Sequence, residues 1–328
     1  MNALIEKYIQ YVSSVRRYSP LTQKAYLEVL ESYASYSVDD PADTEGLAAS
    51  LTPTAVRNYE VYLLEDRKLS ARSVNHHLSV LSGFCRYLMT QGLLKSNPVR
   101  LVTRPKTEKR LPEFYRDDSM EKYFELTAHA ASGDELELLR SLGPGDGSLA
   151  RTLYERRLRR LIVSVLHGAG LRRAELASLD LGSFDPGRKI LKVKGKGDKM
   201  RDVPLVPSLV SELQMYLEAA EVFFGGPAAA GDPLLRTPSG RRLYPAYTDR
   251  AVKTELGSLS DFTGRKSPHV LRHTLATELL NDGSDLNAIK ELLGHSSLAA
   301  TQVYTHNSIE KLKAVYQTAH PRAKDRTK

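Results

Sequence analysis

The chain has 328 residues, of which 41% are hydrophobic and 26% charged, the composition of an ordinary globular protein with room for two domains. It has no run of roughly 18 apolar residues and no secretion signal, so we expect a cytoplasmic protein with no membrane partner. Cys85 is the only cysteine, which excludes an internal disulfide. The net charge of +8 suits a phosphate-rich partner, although a basic surface without such a partner gives the same charge.

The first hundred residues predict a purely helical domain. Apolar residues recur at helical spacing, and Ser or Thr next to Pro marks several starts. The predicted helices lie near residues 4–12 and 22–36, after Thr52-Pro53, and after Ser70. Residues 39–51 are polar and acidic and predict a loop. Cys85 falls on the apolar stripe of the last helix, where a thiol packs as a small apolar group.

A second domain follows a basic, proline-containing segment. We place the N-terminal domain at 1–100, an exposed linker at 101–112, the second domain at 113–318 and a basic tail at 319–328. Residues 127–150 form a polar excursion that predicts a surface insertion. Its glycines do not match the phosphate-binding G-x-x-x-x-G-K-[ST] pattern.

The second domain is predicted to be mainly helical with a small antiparallel sheet. A basic helix spans 151–167, and helices resume after Leu209. Between them, short apolar runs flank a glycine-rich turn at 195–198, which predicts two paired strands. After Tyr304 comes one more amphipathic helix.

Four short segments combine residue types that suit phosphodiester chemistry, although each alone has an ordinary structural explanation. They are Gly170-Leu171-Arg172-Arg173-Ala174-Glu175-Leu176, Lys196 between two glycines, His269-Val270-Leu271-Arg272-His273, and Leu292-Leu293-Gly294-His295 with Tyr304 nine residues later. Arg172 and Arg272 can give forked, charge-assisted donors to phosphate oxygens. Glu175 is expected to orient an arginine.

In order and spacing, these segments resemble the signature of the tyrosine recombinases of the phage integrase family, over nearly the whole chain. The resemblance implies a mainly α fold: a SAM-like, core-binding N-terminal domain and a catalytic domain with the DNA breaking-rejoining enzyme fold. It also implies which residues are catalytic. These are Arg172, Lys196, His269, Arg272, His295 and the nucleophile Tyr304.

The resemblance implies transesterification through a 3′-phosphotyrosine and a Holliday junction, with no cofactor. By resemblance, Lys196 protonates the leaving 5′-oxygen and His269 manages the tyrosine proton. A zinc site at His269 and His273 would have the right helical spacing, but Val270 breaks the H-E-x-x-H pattern, so we expect no metal.

The predicted partner is a double-stranded DNA recombination site bound by a homo- or hetero-tetramer. In the N-terminal domain, the start of the fourth predicted helix offers candidate DNA contacts, although a solvated helix face explains the same residues. These candidates are Arg72, Asn75, His76 and His77. The helix after Tyr304 is expected to pack on a neighbouring subunit, with packing in its own domain as the alternative.

Within the family, the early start of the core-binding helices favours the Xer type. The chain then resembles the XerC and XerD kind of recombinase. That type resolves chromosome dimers in cell division with a second Xer recombinase and a DNA-translocating septal ATPase. An integrase or invertase of a mobile element is the main alternative, and the excursion at 127–150 departs from the compact Xer pattern. Two further alternatives are a catalytically silent DNA-binding protein and a type IB topoisomerase.

Overall fold

The computed structural model describes residues 2–107, 113–144, 147–195, 198–257, 262 and 264–294. The chain divides into two compact units, Met1–Arg110 and Leu111–Lys328, each with its own hydrophobic core. The residue limits predicted for the domains, the linker and the tail stay predictions. Of the helices described, none combines the length and apolar character needed to cross a bilayer.

The first unit is helical, as its apolar periodicity predicted. Its helices are α1 Ala3–Ser14, α2 Pro20–Ser37, α3 Thr44–Ser50, α4 Pro53–Glu65 and α5 Ala71–Thr90. Each begins after a residue whose side-chain oxygen accepts a backbone N–H of the first turn, a contact that contributes about 1 kcal/mol. These capping residues are Asn2, Ser19, Asp43, Thr52 and Ser70. Cys85 is fully buried in α5, as predicted, and burial raises the pKa of its thiol to about 12.

One prediction for this unit was wrong. The segment 39–51 is not all loop, because Asp43 accepts the N–H groups of Glu45 and Gly46 at 3.0 Å and starts helix α3. In the predicted linker, residues 101–107 are mostly exposed, with one buried exception. Val102 is buried, and the Asn75 amide donates to the carbonyl of Pro105 at 2.9 Å, so this part of the linker packs on α5.

The second unit is built around one long helix. Its helices are α6 Asp117–Leu126, α7 Gly133–Leu142, α8 Ser148–Gly168, α9 Arg173–Ala177, α10 Pro207–Phe224, α11 Pro245–Gly257, α12 Pro268–Asn281 and α13 Leu286–Leu293. The central helix α8 packs against α10, α11 and α12, and its last ten residues are nearly all buried. Because α8 packs against α12, the turn that follows α8 lies beside α12.

The predicted strand pair is confirmed as β2 Ile190–Lys194 and β3 Met200–Pro204. They are antiparallel, and Val193 lies opposite Arg201. The strand β1 Phe184–Asp185, which the sequence analysis did not find, has two residues and pairs with β2 on the side away from β3. The fold class predicted from the sequence, mainly helical with a small antiparallel sheet, is therefore confirmed.

The segment 127–150 was wrongly predicted as a surface insertion. It contains helix α7, whose first turn is capped by the hydroxyl of Ser132. Leu136 and Leu139 of α7 are buried in the main core. Arg157 of α8 donates to the Ser132 carbonyl at 2.7 Å. Part of this segment therefore belongs to the core of the unit.

Candidate active site

The first element of the site is the tight turn between α8 and α9. Gly170 has a φ of +60°, and a Cβ built on it would lie 2.7 Å from Leu293 Cδ2 and 2.9 Å from Leu275 Cδ2. A residue with a side chain is therefore disfavoured by the backbone conformation, and its Cβ would also force the two leucine side chains to move. The turn leads into Arg172, whose backbone N–H donates to the Glu175 carboxylate at 2.9 Å and so begins helix α9.

This turn gives a stability prediction with an internal control. Gly170→Ala is expected to lower the free energy of unfolding by about 2–4 kcal/mol, the sum of left-handed strain and overpacking. Gly283 has a similar φ of +81° but no atom within 4 Å of its virtual Cβ. Gly283→Ala should therefore cost only the strain, about 1 kcal/mol. Urea denaturation followed by circular dichroism measures both, and equal losses would contradict the packing argument.

Arg272 on α12 is held in the interior, with only 6% of its surface exposed. Its guanidinium donates to the carbonyl oxygens of Gly170 and Leu293, and thus joins α12 to the turn before α9 and to the end of α13. Burial, and after it the charge of Arg172, lowers the pKa of Arg272 to about 10, so the group stays charged at neutral pH. A guanidinium has five N–H donors, so two carbonyl contacts do not saturate it.

Glu175 is the carboxylate that organises the arginines. It accepts from Arg172 Nη1 at 2.7 Å, which confirms the prediction that it orients an arginine. It also accepts a fork from Arg201 on β3, at 3.0 Å to Oε1 and 2.9 Å to Oε2. Burial would raise the pKa of Glu175, but the hydrogen bonds from Arg201 and Arg172 hold it below its usual value. Glu175 is therefore ionised at neutral pH.

Three arginines also meet at the end of helix α13. Three successive carbonyl oxygens there accept from three different guanidinium groups: Leu292 from Arg201, Leu293 from Arg272 and Gly294 from Arg172. The last carbonyls of a helix lack partners within the helix and carry its negative dipole end, so cations are favoured at this position. Gly294, with a φ of +62°, ends the helix.

The cluster carries excess positive charge. Within the part of the chain that the structure describes, Arg172 and Arg201 pair with the Glu175 carboxylate. Arg272 contacts carbonyl oxygens and feels the Glu175 charge only at a distance. Arg201 and Arg272 are buried, whereas the Arg172 side chain is 36% exposed. An unbalanced set of guanidinium groups with one accessible member is an arrangement that binds a phosphate.

His269 is exposed at the first turn of α12, one helical turn before Arg272. Partial desolvation of the ring, followed by the neighbouring Arg173, His273, Arg265 and Arg272, lowers its pKa. At neutral pH the imidazole is therefore neutral and able to accept a proton. Among the residues described, no group of three or more His, Cys, Asp or Glu side chains is placed to hold a metal ion.

The structure brings together only part of the predicted site. Arg172, His269 and Arg272 lie in one region, with Arg201 as a member that the sequence analysis did not identify. Lys196, His295 and Tyr304 lie outside the described residues. Arg173, which the sequence left ambiguous beside Arg172, forms an ion pair with Asp249 of α11.

The four candidate DNA contacts of the first unit differ in their surroundings. Arg72 and His76 are exposed on α5. Asn75 uses its amide to hold Pro105, and His77 is half-buried with Nδ1 3.0 Å from the Tyr59 hydroxyl. Burial, followed by the neighbouring His76 and Arg67, lowers the pKa of His77. Asn75 and His77 therefore have structural contacts inside the unit.

Comparison with known proteins places these observations in a family. Residues 152–311 match the phage integrase family, and residues 5–92 match the phage integrase N-terminal SAM-like domain. Tyrosine recombinase XerC of Chlorobaculum parvum is 34% identical over 97% of this chain and 94% of its own length. The chain belongs to the tyrosine recombinases of the phage integrase family. This recombinase is a DNA breaking-rejoining enzyme, as the sequence analysis predicted.

Further similarities agree with this assignment. The recombinase is 31% identical to XerC of Escherichia coli over 98% of this chain and 97% of that protein. Its fold is similar to that of a lambda integrase fragment crystallised as a dimer on a core site, with a TM-score of 0.61 and 18% identity. That alignment covers 92% of this chain and 98% of the fragment, and it shows the fold alone.

Proposed function

We propose that this recombinase is of the Xer type and resolves chromosome dimers through a 3′-phosphotyrosine intermediate. The observation that carries the proposed chemistry is the cluster of three arginines at the end of α13, next in sequence to His295, in which two of the arginines pair with Glu175. The Xer subtype is supported by the identity of 31–34% to XerC proteins over nearly the whole chain.

In the proposed cleavage step, the Tyr304 oxygen attacks the scissile phosphorus while its proton passes to His269. The bond between phosphorus and the 5′-oxygen breaks, and Lys196 donates the proton that makes a free 5′-hydroxyl. Arg172, Arg272 and His295 stabilise the charge on the non-bridging oxygens. Because one phosphoester bond forms as another breaks, the energy of the broken phosphodiester is kept in the bond to tyrosine.

Rejoining reverses the same chemistry. A 5′-hydroxyl from the partner duplex attacks the 3′-phosphotyrosine and releases the tyrosine, which produces a Holliday junction after the first exchange.

We propose a tetramer on two DNA sites, with a second Xer recombinase and a septal DNA-translocating ATPase as partners in the cytoplasm. In the first unit, Arg72 and His76 are the proposed DNA contacts, because Asn75 and His77 are engaged in packing.

A nicked suicide duplex tests the proposed chemistry. Cleavage near the nick releases a short strand, so the covalent protein–DNA adduct accumulates and survives denaturation. The duplex is selected from a randomised library by binding to the Tyr304→Phe protein, so no natural target needs to be known. Wild type should form the adduct with a chelator present, and so should Tyr244→Phe, a change at an exposed tyrosine just before α11. Tyr304→Phe should not. An adduct from Tyr304→Phe would refute the proposed nucleophile.

Natural sites distinguish the subtype. Duplexes from the chromosome-terminus region of the source genome should recombine only when a second Xer protein is added. Efficient recombination without that partner, on the ends of a mobile element, would replace the Xer assignment with an integrase.

The pH dependence of cleavage tests His269 as the base. A base acts when it is unprotonated, so the single-turnover rate should rise with pH through the pKa of His269 and then level off. Because burial and the neighbouring Arg173, His273, Arg265 and Arg272 lower that pKa, the midpoint should lie below about 6.5. Arg173→Gln should move the midpoint upward. An unchanged profile in His269→Gln would contradict the role.

A further inference from the structure

Arg201 is a buried arginine outside the family signature that the sequence analysis used. It is 7% exposed on β3, where it lies opposite Val193 in the hairpin. Its two terminal nitrogens form the fork to Glu175, and its Nε donates to the Leu292 carbonyl at 3.3 Å. One guanidinium therefore contacts the start of α9 and the end of α13 from the sheet.

Core packing does not by itself require an arginine here. Val203 and Leu205 follow at alternate positions and are buried. Taking a guanidinium and a carboxylate out of water has a desolvation cost that their attraction only offsets, and apolar residues of similar volume often stabilise a protein as well. The charge at this position therefore has a use other than filling the core.

The contacts show what that use is. Glu175 Oε1 is shared, at 3.0 Å from Arg201 and 2.7 Å from Arg172. The other acceptor of Arg172 is the Gly294 carbonyl, at 2.7 Å. A Cβ on Gly294 would lie 3.1 Å from Arg201 Cζ, so the Arg201 guanidinium rests directly on that backbone. Arg201 thus holds both groups that orient Arg172.

We propose that Arg201 is a positioning residue for DNA cleavage, which fixes Arg172 toward the scissile phosphate through Glu175 and the end of α13. This inference rests on the proposed function, because it takes Arg172 as a phosphate ligand. Without Arg201, the Glu175 carboxylate loses the fork that fixes its rotation, and Arg172 loses a fixed direction. A misplacement of this kind slows the chemical step while leaving the DNA-binding surface in place.

The test separates the cleavage rate from DNA affinity on the selected suicide duplex. Arg201→Gln is expected to slow single-turnover adduct formation by about 100-fold, with the Kd for the intact duplex unchanged. Arg201→Lys should recover part of the rate, because its ammonium reaches Glu175 without the fork. In an Arg172→Lys background, Arg201→Gln should slow cleavage little further, since the Arg172 guanidinium that Arg201 positions is already gone. The pair Glu175→Gln with Arg201→Gln is measured as well, because it removes both partners of the buried ion pair instead of one.

Three results would overturn the proposal. The first is cleavage by Arg201→Gln at the wild-type rate. The second is a loss of cleavage rate that matches the loss of folded protein or of DNA affinity. The third is that Arg201→Gln slows cleavage by the same full factor in the Arg172→Lys background. If wild type itself forms no Tyr304-dependent adduct, the proposed function fails, and the role of Arg201 fails with it. A wild-type adduct with an equally active Arg201→Gln refutes only the positioning role.

Discussion

Arg272→Gln is expected to lower the rate of DNA cleavage by roughly 10³-fold, the effect of removing a main donor to the charged transition state. The substitution also leaves the carbonyls of Gly170 and Leu293 without their guanidinium partner, so a loss of stability accompanies the loss of rate. Arg272→Lys keeps the charge but not the forked pair of donors, so its cleavage rate should remain well below that of wild type.

The matched control for this prediction is Arg140→Gln. Arg140 lies on α7, is 43% exposed and pairs with Glu137 and Glu218, away from the arginine cluster. Single-turnover adduct formation at saturating DNA compares the two variants. Cleavage by Arg272→Gln within a few-fold of wild type, in folded protein, would contradict the phosphate role of Arg272.

Glu175→Ala is expected to destabilise the catalytic unit by about 3–5 kcal/mol, because it leaves buried guanidinium charge without its carboxylate. The control is Glu28→Ala, which breaks an exposed pair with Lys24 on α2 and should change stability by less than about 1 kcal/mol. Urea denaturation measures both. A Glu175→Ala protein as stable as the Glu28→Ala protein would show that the cluster is not held by this carboxylate.

The pH dependence of stability has a defined sign for Glu175. Burial alone would raise the pKa, and the hydrogen bonds from Arg201 and Arg172 lower it further than burial raises it. A carboxylate with a lowered pKa in the folded state stabilises the protein above its unfolded pKa, and this contribution is lost as the pH falls through the folded pKa. Glu175→Gln should therefore lose less stability on acidification than wild type.

Helix positions and the two main strands were predictable because local signals decide them. Capping residues such as Ser19 and Ser70, and apolar spacing, both report on a few neighbouring residues. Helices α3 and α7 were missed although their signals were present. Asp43 caps α3, and Ser132 with Glu135 three residues later opens α7, so polar composition was given too much weight against capping chemistry.

The candidate site was predictable in its signature residues and not in its support. Arg172 and Arg272 follow from motif spacing, but their shared carbonyl contacts at the end of α13 depend on how distant elements pack. One signal for Arg201 was available. Alternation along β3 places residue 201 on the same face as the buried Val203, which indicates a buried charge that needs a partner.

The most direct test is to identify the amino acid that carries the DNA. The adduct from the suicide duplex is digested with nuclease and trypsin, and the modified peptide is sequenced by mass spectrometry. Tyr304 is the only tyrosine in the tryptic peptide 291–311, so the assignment is unambiguous. We expect a nucleotide 3′-phosphate on Tyr304 and a 5′-hydroxyl on the released strand. DNA linked to another residue, or a 5′-phosphate linkage, would contradict it.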